Sequence, residues 1–242
     1  MTLAVYGDFT DTLSYVASLR VDALRTSGTP VEWRAVTEQD ATITTSTPLG
    51  TEDARRQEEV VQWWRQNRLP GDRPDDDLPH STPFGLPPVS AYAEAVVAGV
   101  GDHVRHSLFT AFWRDHLDIG NPDLLRRLLA VPMIHGRSHL RSDLGQGYAV
   151  AIGGGPVTTD AWRLIRQWRT GFAGVEQEEL PVVTDGVLVL SGFAAVEHLS
   201  ELVGDQRIPE TRENPYALPP LSVSAQRRWA ERPGLRPGWW ES

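Results

Sequence analysis

The first 36 residues read as strand, helix, strand, and that order constrains the fold more than any other feature of the chain. Leu3-Ala4-Val5-Tyr6 is short, apolar and closed by Gly7-Asp8, the pattern of a buried strand running into a turn. Thr10-Asp11-Thr12 follows, after which Tyr15, Val16, Leu19, Ala23 and Leu24 recur at helical spacing with Arg20 and Arg25 outside the stripe. Thr10 or Asp11 supplies an N-cap, and Gly28 stands where a helix C′ residue belongs. Val31-Glu32-Trp33-Arg34-Ala35-Val36 then alternates as a half-buried strand does. This spacing is consistent with one parallel crossover unit, so an α/β sheet begins at the N-terminus. At 242 residues the chain has room for one large domain, or one with a substantial insertion.

The pattern then changes. Residues 51–67 form a polar helix ending in Trp63-Trp64. Leu69 to Pro88 contains six prolines and the run Asp75-Asp76-Asp77, which reads as loop. From Ser90 to about Leu117 a single long helix is expected, with Ala91, Ala95, Val100, Val104, Leu108 and Phe112 on its apolar face. Asn121-Pro122 looks like N-cap and N1 of a helix over 123–130. Residues 131–157 read as irregular with one short element, and Thr159-Asp160 caps a helix carrying Trp162, Ile165 and Trp168. Leu180-Pro181-Val182-Val183-Thr184 and Val187-Leu188-Val189-Leu190 form a hairpin about Asp185-Gly186. Ser191-Gly192 opens an amphipathic helix with Ala195, Val196, Leu199, Leu202 and Val203, and a proline- and tryptophan-rich tail follows Gly204.

Strand-helix-strand, a helical block, then hairpin and helix is the order of a thioredoxin-like fold with a large helical insertion. The corner Gly7-Asp8-Phe9-Thr10-Asp11-Thr12-Leu13-Ser14-Tyr15 resembles the strand-to-helix corner of DsbA-like proteins, where C-x-x-C stands before an aromatic. Leu108 to Trp113, Asp118-Ile119 and Leu124-Leu125 resemble the helical insert of that family, and Leu180-Pro181-Val182 resembles its cis-proline strand. The resemblance implies a cis Leu180–Pro181 bond facing the corner. It divides the chain into residues 1–48 and 174–204 as the two thioredoxin-like parts, 49–173 as the insertion and 205–242 as a tail. Asp11 and Ser14 stand at the two cysteine positions. The related 2-hydroxychromene-2-carboxylate isomerases and kappa-class glutathione transferases place a serine at the first of these, supporting the thiolate of bound glutathione. Asp11 would instead oppose a thiolate by about 1–4 kcal/mol, which leaves the hydroxyl role to Ser14 or Thr10.

Composition narrows the chemistry. With no cysteine, the chain has no thiolate nucleophile, disulfide or cysteine-held metal of its own. All 23 basic side chains are arginine, which removes Schiff-base lysines and lysine-type phosphate loops, so Gly153-Gly154-Gly155 reads as a turn. A net charge of −9 disfavours nucleic acid as a partner. No apolar run approaches a membrane span and no leader pattern opens the chain, so membrane association is not expected and a cytoplasmic setting is. His135 and His139 make at most a weak pair, and no metal site is expected. Trp63, Trp64, Trp113 and Trp168 read either as an aromatic pocket or as core.

Two functional readings follow. In one, a non-redox enzyme of isomerase or proton-transfer type uses Asp11 as base and Ser14 as hydroxyl donor on a small organic ligand. Thr10, Tyr15, Leu180, Pro181, Ser191 and Gly192 would bind that ligand, with a low-molecular-weight thiol as the one cofactor in view. In the other, the chain is an accessory scaffold and Asp11 is a helix cap. A homodimer fits either. A buried Asp11 with a raised pKa before an apolar cavity favours the enzyme, and an exposed Asp11 on the amide of residue 13 or 14 favours the cap.

Overall fold

Strand β1 (Leu3–Gly7) turns through Asp8–Asp11 into helix α1 (Thr12–Thr26), and β2 (Val31–Ala35) returns parallel to β1 with Leu3 opposite Val31. The computed structural model describes residues 2–37, 44–75, 77–137, 147–177 and 179–209, which excludes the tryptophans of the tail and His139. After β2 come β3 (Thr47–Pro48), α2 (Thr51–Gln66), β4 (Ser81–Thr82), α3 (Leu86–Val97) and α4 (Gly101–Trp113). Then follow α5 (Pro122–Leu128), α6 (Ala130–Arg137), α7 (Thr159–Gly174), β5 (Val182–Thr184), β6 (Val189–Ser191) and α8 (Gly192–Val203). The main sheet runs β2-β1-β5-β6, with β5 antiparallel to both β1 and β6. This is a thioredoxin-like sheet interrupted between β2 and β5 by the helical insertion.

The long helix expected over 90–117 is two helices. Gly99 lies between them with φ +77°, a conformation that glycine adopts without penalty and that ends α3. The apolar stripe continues across the break because both helices face the same core, which is why periodicity alone joins them. Helix α3 also starts earlier than expected, at Leu86, with Pro87 and Pro88 in its first turn where their missing N–H groups are not needed. The second hairpin strand starts at Val189 rather than Val187. Asp185 Oδ1 accepts from the amides of Val187 and Leu188, so those residues belong to the turn. The cap of α7 is Thr158, one residue before the expected pair.

Arg20 was expected outside the apolar stripe of α1, yet it is fully buried. Its guanidinium makes a bidentate pair with Asp72 at 2.5 and 2.6 Å and donates from Nε to Ser200 Oγ at 3.1 Å. Helix α8 and the 69–72 turn cover that face of α1, so the charge is enclosed together with its partner. The tryptophans settle as core. Trp64, Trp113 and Trp168 are 1–2% exposed, while Trp63 packs edge-on against Phe193. The described body continues past α8 to a buried Ile208, whose amide donates to Pro70 O at 2.7 Å.

Candidate functional site at the N-terminus of helix α1

Asp8-Phe9-Thr10-Asp11 is the corner between β1 and α1, and its hydrogen bonds fix it tightly. Asp8 Oδ1 accepts from both the amide and the hydroxyl of Thr10 at 2.8 Å. Asp11 caps α1, its Oδ2 accepting from Ser14 N at 2.7 Å. Ser14 is fully buried, and its Oγ accepts from Asp8 N at 3.2 Å. Serine at this position therefore ties the turn to the helix and keeps its hydroxyl inside the protein. Tyr15 is buried as well, stacked on Trp113 with ring centres 5.6 Å apart, and its hydroxyl accepts from Arg114 Nε.

A pocket of about 290 Å³ opens in front of this corner. The corner side contributes Asp8, Thr10, Asp11 and Thr12. The facing wall comes from the insertion: Asp53, Arg56 and Gln57 of α2, Leu49 beside β3, and Thr82 of β4. Asp11 is half-buried there, and desolvation pushes its carboxyl up from the ordinary aspartate range to about 6. Its bonds to Ser14 and the charge of Arg56 pull the other way, while Asp8 adds to the rise. Leu49 is the one apolar side chain among its lining residues, so the cavity is not the apolar one expected. Asp11 therefore combines features of both readings, a raised pKa in a cavity and a capping bond to the amide of residue 14.

Leu180–Pro181 is a cis peptide. Pro181 lies one step beyond the last β1–β5 pair, Tyr6 opposite Val182, which brings it level with Gly7 at the corner. Leu180 is buried, β5 is an interior strand, and Pro181 O accepts from Gly192 N at 2.9 Å. Ser191 is the N-cap residue of α8, and Gly192 has φ +57°. A Cβ on Gly192 would collide with the Glu179 carboxylate, which rests against the start of α8. Glu179 Oε1 in turn accepts from Arg56 Nη2 at 2.7 Å. Of the residues singled out in the sequence, Thr10 and Asp11 line the pocket. Leu180, Pro181, Ser191 and Gly192 are not among its lining residues, although Gly192 meets the Glu179 carboxylate that pairs with Arg56, and Ser14 and Tyr15 lie behind its corner wall. Arg56, Asp53 and Gln57 were not singled out, because on α2 they look like any solvated helix face. Only their place opposite the corner distinguishes them. No cluster of three metal-ligating side chains occurs among the described residues.

No family model matches the chain. No curated protein sequence matches it either. Solved structures do. A probable DsbA oxidoreductase from Streptomyces coelicolor superposes with a TM-score of 0.57 at 12% identity, over 98% of this chain and 93% of that one. The cytosolic disulfide reductase DsbM from Pseudomonas aeruginosa, in a structure with GSH, gives 0.51 at 16% identity over 84% and 97%. A 2-hydroxychromene-2-carboxylate isomerase gives 0.50 at 12% identity over 84% and 92%. Likeness at these identities is likeness of fold. The chain has a DsbA-like thioredoxin fold, and Asp11 and Ser14 stand at the first strand-to-helix corner of that fold. With no cysteine anywhere in its 242 residues, it has no thiol of its own for disulfide exchange.

Proposed function

We propose that this chain is a non-redox enzyme that moves a proton on a small organic substrate, as an isomerase does, with Asp11 as the general base. The observation that carries the reading is the Asp11 carboxyl in the mouth of the pocket, with a pKa raised to about 6. A base is most effective when its pKa lies near the working pH, and an ordinary aspartate is too weak for that task. The N-terminus of α1 favours negative charge developing on the substrate, Thr10 stands beside the base with its hydroxyl proton given to Asp8, and Ser14 holds the base in place. Arg56 is the cation of the pocket and suits a substrate bearing a carboxylate or enolate oxygen. A low-molecular-weight thiol as co-substrate is the less favoured part of the proposal, because Asp8, Asp11 and Asp53 oppose a thiolate. We place the reaction in the cytoplasm, as the cytosolic setting of the DsbM neighbour suggests.

A thermal-shift screen against small aromatic acids and thiols, repeated with Asp11→Asn, tests this. A compound that raises the melting temperature and is turned over by the wild type but not by Asp11→Asn supports the enzyme. The capping bond from Ser14 N to Asp11 favours the second reading, an accessory binding scaffold. That reading is the correct one if compounds bind wild type and Asp11→Asn alike and neither protein turns them over.

A further inference from the structure

A second groove lies away from the α1 corner, between the edge strand β2 and helix α7. Arg34 of β2 and Arg163 and Arg166 of α7 line it together with Gln167, Thr170 and Gly171, around a volume of about 510 Å³. No carboxylate is among those lining residues, although the chain as a whole carries a net charge of −9. Arg163 and Arg166 stand three residues apart on a helix, about 4.5 Å along its axis, so both guanidinium groups emerge on one face. Arg34 is held rigidly, donating to the Tyr6 hydroxyl and to Glu32 at 2.7 Å each while its guanidinium lies 5.3 Å from the centre of the Tyr6 ring. Arg163 is steadied by Asp160 at 2.7 Å. Glu32 and Asp160 thus offset part of the positive charge from the flanks. Arg166 is exposed and makes no ion pair among the described residues.

We propose that this groove binds a small ligand carrying at least two phosphate or carboxylate groups. A guanidinium presents paired N–H donors that match the oxygens of either group, and three of them set around one groove suit a multivalent anion better than a single charge. The amide of Gln167 and the hydroxyl of Thr170 add neutral donors on the same helix face. The volume is in the range of small-ligand sites.

The test is calorimetric titration of the full chain with pyrophosphate and, separately, with citrate at low salt. Saturable one-to-one binding of either supports the site, and which of the two binds more tightly assigns the phosphate or the carboxylate. Arg166→Glu weakens that binding by about tenfold or more, as reversal of one contacting charge does. Arg166→Gln, which removes only the charge, weakens it by less and serves if the glutamate variant does not fold. Asp11→Asn leaves the affinity unchanged, separating this groove from the α1 pocket. Absence of saturable binding by both anions overturns the proposal, as does binding that Arg34→Ala and Arg166→Glu together fail to weaken.

Discussion

At the scale of single residues, Asp11 links stability to pH in a way that tests its environment directly. Its carboxyl has the ordinary aspartate value of 3.8 in the unfolded chain, and desolvation pushes it up to about 6 in the folded one. Above both values the folded protein bears an ionised group that is poorly solvated. As the pH falls through 6 the folded state takes up the proton, and the penalty fades until it is gone below 3.8. Asp11→Asn keeps a side-chain oxygen for Ser14 N, so at about pH 7.5 it stabilises the protein by about 1–2 kcal/mol after allowance for solvent screening. Urea melts of the two proteins converge by about pH 4 if the carboxyl is the cause. A variant no more stable than wild type at neutral pH shows that the negative charge at the helix N-terminus is worth at least what its desolvation costs. The corner was largely legible in the sequence, since an acid or threonine ahead of an apolar helical stripe is a cap signal. Ser14 was legible as a position but not in its role, because nothing local shows that its hydroxyl turns inward to Asp8 N.

Secondary-structure elements show where periodicity informs and where it misleads. The β1-α1-β2 unit follows its hydrophobic pattern because each element buries one face against the same sheet. The break between α3 and α4 does not follow it, and Gly99 was the available signal. At Gly99, with φ +77° and open space where a Cβ would stand, the cost of a side chain is purely conformational. Gly99→Ala destabilises by about 1 kcal/mol without loss of packing, read as a lowered thermal midpoint with an unchanged near-ultraviolet circular dichroism spectrum. Strands β3 and β4 were not legible at all. Two residues each are too few for an alternating pattern, and only their pairing, Thr47 with Thr82 and Pro48 with Ser81, defines them. The outer edge of β2 is closed by side chains. Leu3 N donates to Pro30 O and Val36 N to Gly7 O, so the odd residues of β2 face away from β1. Of those, Val31 O accepts from Arg25 and Trp33 O from the Tyr92 hydroxyl, which leaves these carbonyls unavailable to a further strand.

On the scale of the described body, the buried Arg20–Asp72 pair joins α1, the 69–72 turn and α8. Removing one partner leaves an enclosed charge, so Asp72→Ala costs about 3–5 kcal/mol, measurable as a shift of the urea midpoint. An exposed pair would lose less than about 1 kcal/mol, and such a result would place the pair in solvent. For activity, the absence of cysteine gives the plainest expectation: the purified protein reduces insulin disulfides no faster than the buffer does. Turnover above that background contradicts the chemistry of the corner. The α1 pocket also draws its two sides from different stretches of chain. Asp8 to Thr12 belong to a corner fixed by sheet and helix, whereas Leu49 lies beside and Thr82 within a ribbon of two residues per strand, and Asp53, Arg56 and Gln57 come from α2. On the proposed reading, the group that reacts and the residues that select can therefore vary separately. Under that reading, exchanging the ribbon and the facing residues of α2 alters which molecules are admitted while leaving the Asp11 carboxyl in its setting, so one scaffold could change its diet without relearning its chemistry.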